Sequence, residues 1–571
     1  ARSDKYHVKA IKPLPRRKLY DKVPLLDCFT APCKGGCPIH QDIPEYIELC
    51  RKGAYASALR LITEKNPLPF ITGTICAHNC MTKCMRNYYD EPVNIRATKL
   101  VAAEKGYDAY MSKITPPAPV TDGRKVAVIG GGPTGMSAAY FVGRAGIPVT
   151  LFEKADRLGG IVRQVIPAFR ISDEAIDKDV ALMEKMGVEV KLNTEAPSVA
   201  ELKAQGYTHI FFAVGAWKAG RLDIPGNVVP VIGWLRDMKA GKDVSLGHVA
   251  VVGGGNTAMD AARAALRAGA KSSTLVYRRT KKYMPADAEE LEMAIADGVE
   301  FLELVAPVEQ KDGKLICEKM KLGDPDDKGR RKPVPTGEMV EIPCDTVVSA
   351  VGEKVESEVF TRNGITVDEK GIPAFKTNLE GVYAGGDAMR GPATVVEGIA
   401  DAQYFANAVI GEAHKFAIPA KAVATREEAV AKKGVLCESA KCEGNRCLTC
   451  NVVCQVCADV CPNRANVVIE LPDGRQQILH VDRMCNECGN CAVFCPYDSA
   501  PYREKFTLFL TREGFDESVN NQGFLPLGGK KVLVRLDSKV FEADLDAKND
   551  LPADIEVFIW TVLTKYAYLM G

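Results

Sequence analysis

The chain has 571 residues, 46% of them hydrophobic, with 74 Lys and Arg against 73 Asp and Glu. That length allows roughly three to five compact units, and the charge balance excludes a compositional case for a nucleic-acid binder or an acidic tail. The 20 cysteines fall unevenly, seven before residue 118, Cys317 and Cys344 alone in the middle, and eleven from Cys437 to Cys495, which excludes a short disulfide scaffold and points to metal or redox chemistry in a reducing cytoplasm.

Residues 1–22 are basic and polar and lack the apolar core of an export signal. A start at Ala1 without Met fits removal of an initiator or a cut from something longer. Residues 1–118 read as a helical domain, with helical stretches at 43–63 and 93–110 flanking two cysteine groups. The groups are Cys28-x4-Cys33-x3-Cys37-Pro and Cys76-x3-Cys80-x3-Cys84. Cys50, on an apolar helical face, reads as packing, as do Cys317 and Cys344. His78 could add a ligand to the second trio, though a satisfied histidine is the plainer reading. Pro116, Pro117 and Pro119 make a stiff linker.

From Lys125 short apolar runs alternate with amphipathic helices, the βαβ texture of parallel sheets. The first unit reads Val126-Ala-Val-Ile-Gly130-Gly-Gly132-Pro133-Thr-Gly135, then a helix, a strand and Glu153. The first glycine permits the turn, the second admits a pyrophosphate and the third lets the helix pack closely, while the carboxylate suits a ribose diol. The second unit reads Val249-Ala-Val-Val-Gly253-Gly-Gly255-Asn256-Thr257-Ala258 and ends its next strand at Arg278-Arg279. Two guanidiniums there favour a 2′-phosphate, hence NADP(H) over NAD(H). Their bland alternative is a solvated surface pair. Later comes Val382-Tyr-Ala-Gly-Gly386-Asp387, with a helix starting near Thr394.

Residues 413–434 are rich in Ala, Lys and Glu and predict a helical linker. Cys485-x2-Cys488-x2-Cys491-x3-Cys495-Pro is a bacterial ferredoxin run, in which three thiolates hold one cube and the fourth reaches a neighbour. Upstream, Cys447-x2-Cys450-x3-Cys454-x2-Cys457-x3-Cys461-Pro departs from that run, with Asn451 where a first ligand belongs. The expected sets are Cys461 with Cys485, Cys488 and Cys491, and Cys450 with Cys454, Cys457 and Cys495, Cys447 competing for the place of Cys450. Paired zinc sites are the alternative. Cys437 and Cys442 have no evident partners. The tail from Lys505 alternates and predicts a small antiparallel sheet before a final helix. Its apolar stretch at 555–570, interrupted by Glu556 and Lys565, is too short to span a membrane.

The glycine fingerprints and the late Gly386-Asp387 together resemble the two-dinucleotide-binding-domain flavoproteins, in which an FAD domain is split by an NAD(P)H domain. With both cysteine-rich ends, the chain resembles the iron–sulfur flavoproteins of the glutamate synthase small-subunit family over residues 25–412. Within that family it resembles the NADP-binding subunit of electron-bifurcating ferredoxin:NADP transhydrogenases and the selenate reductase iron–sulfur flavoprotein. The resemblance implies a multidomain α/β chain: a helical iron–sulfur domain (1–118), an FAD domain (119–235 and 346–412) split by an NADP(H) domain (236–345), a linker (413–434), a ferredoxin-like module with two [4Fe–4S] clusters (435–504) and a β-rich tail (505–571). It implies FAD at Gly130, Gly132, Pro133, Gly135, Glu153, Gly160, Gly386, Asp387 and Thr394, and NADP(H) at Gly253, Gly255, Asn256, Thr257, Arg278 and Arg279. It also implies one or two N-terminal clusters, with Cys28, Cys33 and Cys84 in one set and Cys37, Cys76 and Cys80 in the other. Leu25 stands where the family has a leading cysteine, and Lys99 where it has a non-cysteine ligand.

Hydride exchange between nicotinamide and flavin, then single-electron relay to a partner redox subunit or ferredoxin, is the implied activity. The leading expectation is a cytoplasmic transhydrogenase subunit. The alternatives are an electron-input subunit of a molybdenum-type enzyme or of glutamate synthase, and, in another class, a non-enzymatic iron–sulfur scaffold. No nucleic acid and no membrane span enter the expectation.

Overall fold

A computed structural model describes residues 30–411, 423–433, 435 and 443–571, apart from 221, 245, 326–330, 475, 498, 519 and 520. Cys28, Cys437, Cys442 and half of the expected linker lie outside the described residues. The chain forms two compact units, one made of residues 1–61, 78–102 and 415–571, the other of 62–77 and 103–414.

The second unit holds two parallel five-stranded sheets. In the first the order is Val382–Ala384, His209–Phe212, Val126–Ile129, Val149–Phe152, Glu189–Lys191. Its central strand is buried at every position, as a strand covered on both faces must be. In the second the order is Val228–Pro230, Thr346–Ser349, His248–Val252, Ser272–Tyr277, Glu300–Glu303. Expectation and structure differ here. Strands Val228–Pro230 and Thr346–Ser349 pair with this second sheet, so the boundaries expected at 235 and 345 both move outward. Short apolar strands carry no mark of their partner. Pairing decides it.

An antiparallel three-stranded sheet of Val305–Lys311, Lys314–Pro325 and Arg331–Pro343 follows the last parallel strand. Cys317 and Cys344 are fully buried here beside Leu315 and Ile342, in packing positions. A ribbon of Lys218–Ala219 against Glu353–Lys354 joins the halves.

In the first unit the stretch at 43–63 is two helices, Ile43–Arg51 and Tyr55–Thr63. Gly53, at φ +74°, breaks it, a conformation costly for other residues. The tail does not form a sheet of its own. The hairpin of Asn466–Glu470 and Gln476–Val481 continues through Thr507–Leu508, parallel to both neighbours, into Gly523–Gly528, Lys531–Leu536 and Lys539–Asp544. Helix Ala553–Lys565 packs on this six-stranded sheet, burying Ile555, Phe558, Ile559 and Val562. Among the described residues no helix is long and apolar enough to cross a membrane.

His480 lies inside this sheet, 2% exposed, with Nδ1 3.0 Å from Asn466 Oδ1. Burial lowers its pKa from 6.5 to about 4. The unfolded chain therefore binds the extra proton between those values, and stability falls as pH drops through that window. From this group alone, unfolding at pH 5 should be about 2 kcal/mol easier than at pH 7.5. Denaturation of the His480→Gln variant should lose that share of the pH dependence; an unchanged pH profile contradicts the assignment.

Candidate functional site

The first fingerprint is a turn between strand Val126–Ile129 and helix Pro133–Arg144. Gly130 has φ +105°, and a Cβ on Gly135 would lie 1.8 Å from Gly130 O. Those glycines let helix and strand close on each other. Gly132 differs: a Cβ there would touch only Gly160 Cα, at 3.9 Å. Open space thus remains at the helix N-terminus, where an anionic pyrophosphate gains from free N–H groups. Gly160 begins helix Gly160–Gln164 and packs on Gly132. The Glu153 carboxylate accepts from Gly131 N–H at 2.7 Å and Ala155 N–H at 2.8 Å, fixing it beside the turn.

Gly386 (φ +65°) lies against Thr134 of that helix, so this late segment returns to the fingerprint. Its N–H donates to Asp401, which also pairs with Arg390. Asp387 Oδ1 accepts from Ala393 N–H at 3.1 Å, and burial pushes its carboxyl up to about 7. Thr394 caps helix Val395–Ile410 in a reciprocal box with Glu397, so its hydroxyl is already engaged. The helix N-terminus carries the partial positive charge that favours an anionic ring edge. Glycines facing open space, a fixed carboxylate and a helix N-terminus form a donor set that fits FAD.

The second fingerprint repeats this with helix Asn256–Arg267. A Cβ on Gly253 would meet Ala350 O at 2.4 Å, whereas beside Gly255 nothing lies within 4 Å. Asn256 Oδ1 accepts from Asp287 N–H at 3.1 Å and holds the following loop. Arg278 is exposed and Arg279 half-buried, and among the described residues neither has a carboxylate partner. Both cations are thus available to a phosphate. Two features here had no sequence signal. Glu353, on the joining ribbon, lies near Thr257, and burial pushes its carboxyl upward. Arg170 pairs with Asp260 at 2.6 Å and Glu290 at 2.5 Å, tying the FAD half to two helices of the other half.

In the first unit one cavity is lined by Cys461, Cys485, Cys488 and Cys491, with Asn466 and Tyr502. Ala465 N–H donates to Cys461 Sγ at 3.2 Å and Glu487 N–H to Cys485 Sγ at 3.3 Å, bonds that favour thiolates. Helix Val456–Asp459, bearing Cys457, packs on helix Asn490–Val493, bearing Cys491, with Cys454 and Cys495 just beyond the two helices. Cys33, Cys37 and Tyr46 are buried, and burial, with the nearby Cys80, Cys33, Cys37 and Cys50, pushes the Tyr46 hydroxyl well above the usual tyrosine range. Cys76, which ends helix Pro69–Ile75, belongs to the other unit. Lys99 is 7% exposed. Among the described residues no group of three or more metal-ligating side chains lies close enough to hold a single ion. A cube instead takes one thiolate at each of four irons.

Two stretches of the chain match known protein families. Residues 124–402 match the pyridine nucleotide-disulphide oxidoreductase family, and residues 24–109 match dihydropyrimidine dehydrogenase domain II, 4Fe-4S cluster. The chain therefore carries a flavin- and pyridine-nucleotide-binding oxidoreductase module and a 4Fe-4S domain.

The glutamate synthase [NADPH] small chain of Escherichia coli is 31% identical over 425 residues, covering 67% of this chain and 89% of that one. This chain belongs to that family. It is also similar to the oxidoreductase YgfK of E. coli, 41% identical over 599 aligned residues, 99% of this chain and 58% of that one. The NADP(+)-dependent formate dehydrogenase subunit beta of Moorella thermoacetica is 36% identical, covering 65% of this chain and 58% of that one. The chain thus spans less than two-thirds of the length of YgfK and of the formate dehydrogenase subunit.

Gly135→Ala is expected to abolish flavin retention, because the methyl would displace the helix from Gly130 O. Flavin absorbance per chain after purification checks this; full flavin content in a folded variant contradicts it.

Proposed function

We propose that this chain is the NADP(H)-linked electron-transfer part of a larger redox enzyme. The observation that carries the reading is the pairing, in one chain, of two nucleotide turns with a cavity lined by four ferredoxin-spaced cysteines. Bound flavin would exchange hydride with nicotinamide and pass electrons singly to [4Fe–4S] clusters.

This chain's residues would do the positioning. Gly132 and Gly255 leave room for the two pyrophosphates, Glu153 orients the FAD ribose, and Arg278 and Arg279 hold the 2′-phosphate of NADP(H). Asp387 would bind the flavin side chain, and the N-terminus of Val395–Ile410 would stabilise negative charge on the ring. Thr257, at the NADP(H) turn, lies near Glu353 on the joining ribbon. Cys461, Cys485, Cys488 and Cys491 would hold one cluster and keep it at the surface of the ferredoxin-like module, where a partner can reach it.

The finer reading is a subunit exchanging electrons among NADP(H), ferredoxin and a partner flavoprotein, as in a bifurcating transhydrogenase of a reducing cytoplasm. A second reading, input to a dehydrogenase of the formate type, is favoured by the similarity to the formate dehydrogenase beta subunit. In either case the relatives' names, small chain and subunit beta, support work alongside another redox subunit.

The nucleotide preference tests the reading. Under anaerobic conditions NADPH should bleach the flavin with a much lower half-saturation than NADH. Arg278→Ala with Arg279→Ala should raise the NADPH value by about 10-fold to 100-fold, as loss of one or two charge-assisted contacts implies, and leave NADH nearly unchanged. Equal response of the wild-type protein to both nucleotides would overturn the NADP(H) assignment.

A further inference from the structure

Leu25 leaves one N-terminal set a thiol short of four, and the first unit brings two other cysteines to that place. Helix Pro32–Gly36 packs on the turn Met81–Lys83, which sets Cys33 beside Cys84. Cys447 and Cys450 lie within electrostatic reach of Cys33 and of Cys84.

Named contacts hold this arrangement. Arg446, immediately before Cys447, donates to Glu91 O at 2.7 Å and pairs with Asp90 at 3.2 Å. Glu443 accepts from Asn94 N–H at 2.9 Å, and Arg86 donates to Val435 O at 2.8 Å. On the other side Asn451 donates to Glu45. Gly444 lies on Arg51, where a Cβ would come within 2.5 Å of the Arg51 Cβ, so only glycine allows this approach. The segment bearing Cys447 and Cys450 is thus fastened to the N-terminal domain before and after the two thiols.

Resting on the cluster reading above, we propose that Cys33, Cys84, Cys447 and Cys450 hold one [4Fe–4S] cube. The ferredoxin-like segment then supplies half the ligands of an N-terminal cluster. Cys450 leaves the set with Cys454, Cys457 and Cys495, and Cys28 leaves the set with Cys33 and Cys84. All four sulfurs are free of disulfides. Because Cys454 follows Cys450 after three residues, neighbouring ligands of one short loop serve two cubes and bring them close.

The test uses the full chain purified anaerobically, with iron and sulfide content and the electron paramagnetic resonance spectrum of the dithionite-reduced protein as readouts. Ala at Cys33, Cys84, Cys447 or Cys450 should each remove about four irons per chain and the same spectral component. Cys28→Ala should keep that component, and flavin content should stay unchanged throughout. Cys447→Ser, which conserves size and leaves an oxygen donor, should alter or abolish that component alone and guards against misfolding of the Ala variant. The assignment is overturned if either Cys447 variant keeps the full component unaltered, or if Cys450→Ala removes the component that Cys454→Ala removes. Wild-type protein lacking iron and sulfide would instead defeat the cluster reading itself.

Discussion

A buried thiolate needs positive charge close by, and this requirement organises the first unit. Cys33, Cys447 and Cys491 are at most 9% exposed, and Cys84 and Cys450 are only partly exposed. The surrounding contacts are directional and polar: Arg86 and Arg446 on Asp90, Asn451 on Glu45, Ala465 and Glu487 amides on sulfur. Such contacts fix ligand positions more than they add stability, since buried ion pairs contribute modestly beyond their desolvation cost. Iron binding then becomes part of folding, as with other metal-held domains.

The second unit answers a different constraint. Two nucleotides must meet with their reactive rings close together, and glycine makes this possible by letting helix and strand touch at Gly130 and Gly135. Gly386 brings the last strand and helix back onto Thr134, so residues far apart in sequence meet beside one turn. The Arg170 pairs with Asp260 and Glu290 hold the two halves in register. Among the described residues no thiol lines this unit's nucleotide turns, which suits hydride chemistry that belongs to the cofactors.

Much of this was legible in sequence because it rests on local pattern. The two fingerprints, the acid at Glu153, the arginines at 278 and 279, and the ferredoxin spacing each sit within a short window that one turn or loop must satisfy. What stayed hidden depends on partners. Val228–Pro230 and Thr346–Ser349 read as apolar strands in either sheet. Thr507–Leu508 has too few residues to announce its parallel pairing. Glu353 carries no motif, and Arg170 finds its acids only through the fold. The spacing around Cys450 was visibly irregular at Asn451. The reason lies in helix Ile43–Arg51 and the segment near Asp90, which that window does not contain.

Nicotinamide electrons taken up in the second unit should reach the cysteine-held clusters of the first. Rapid mixing with NADPH without oxygen, followed by optical and freeze-quenched paramagnetic detection, tests it directly. The account predicts flavin bleaching first, then reduced-cluster signals in the same chains. Full flavin reduction with clusters that stay oxidised by NADPH, yet accept electrons from dithionite, would contradict it.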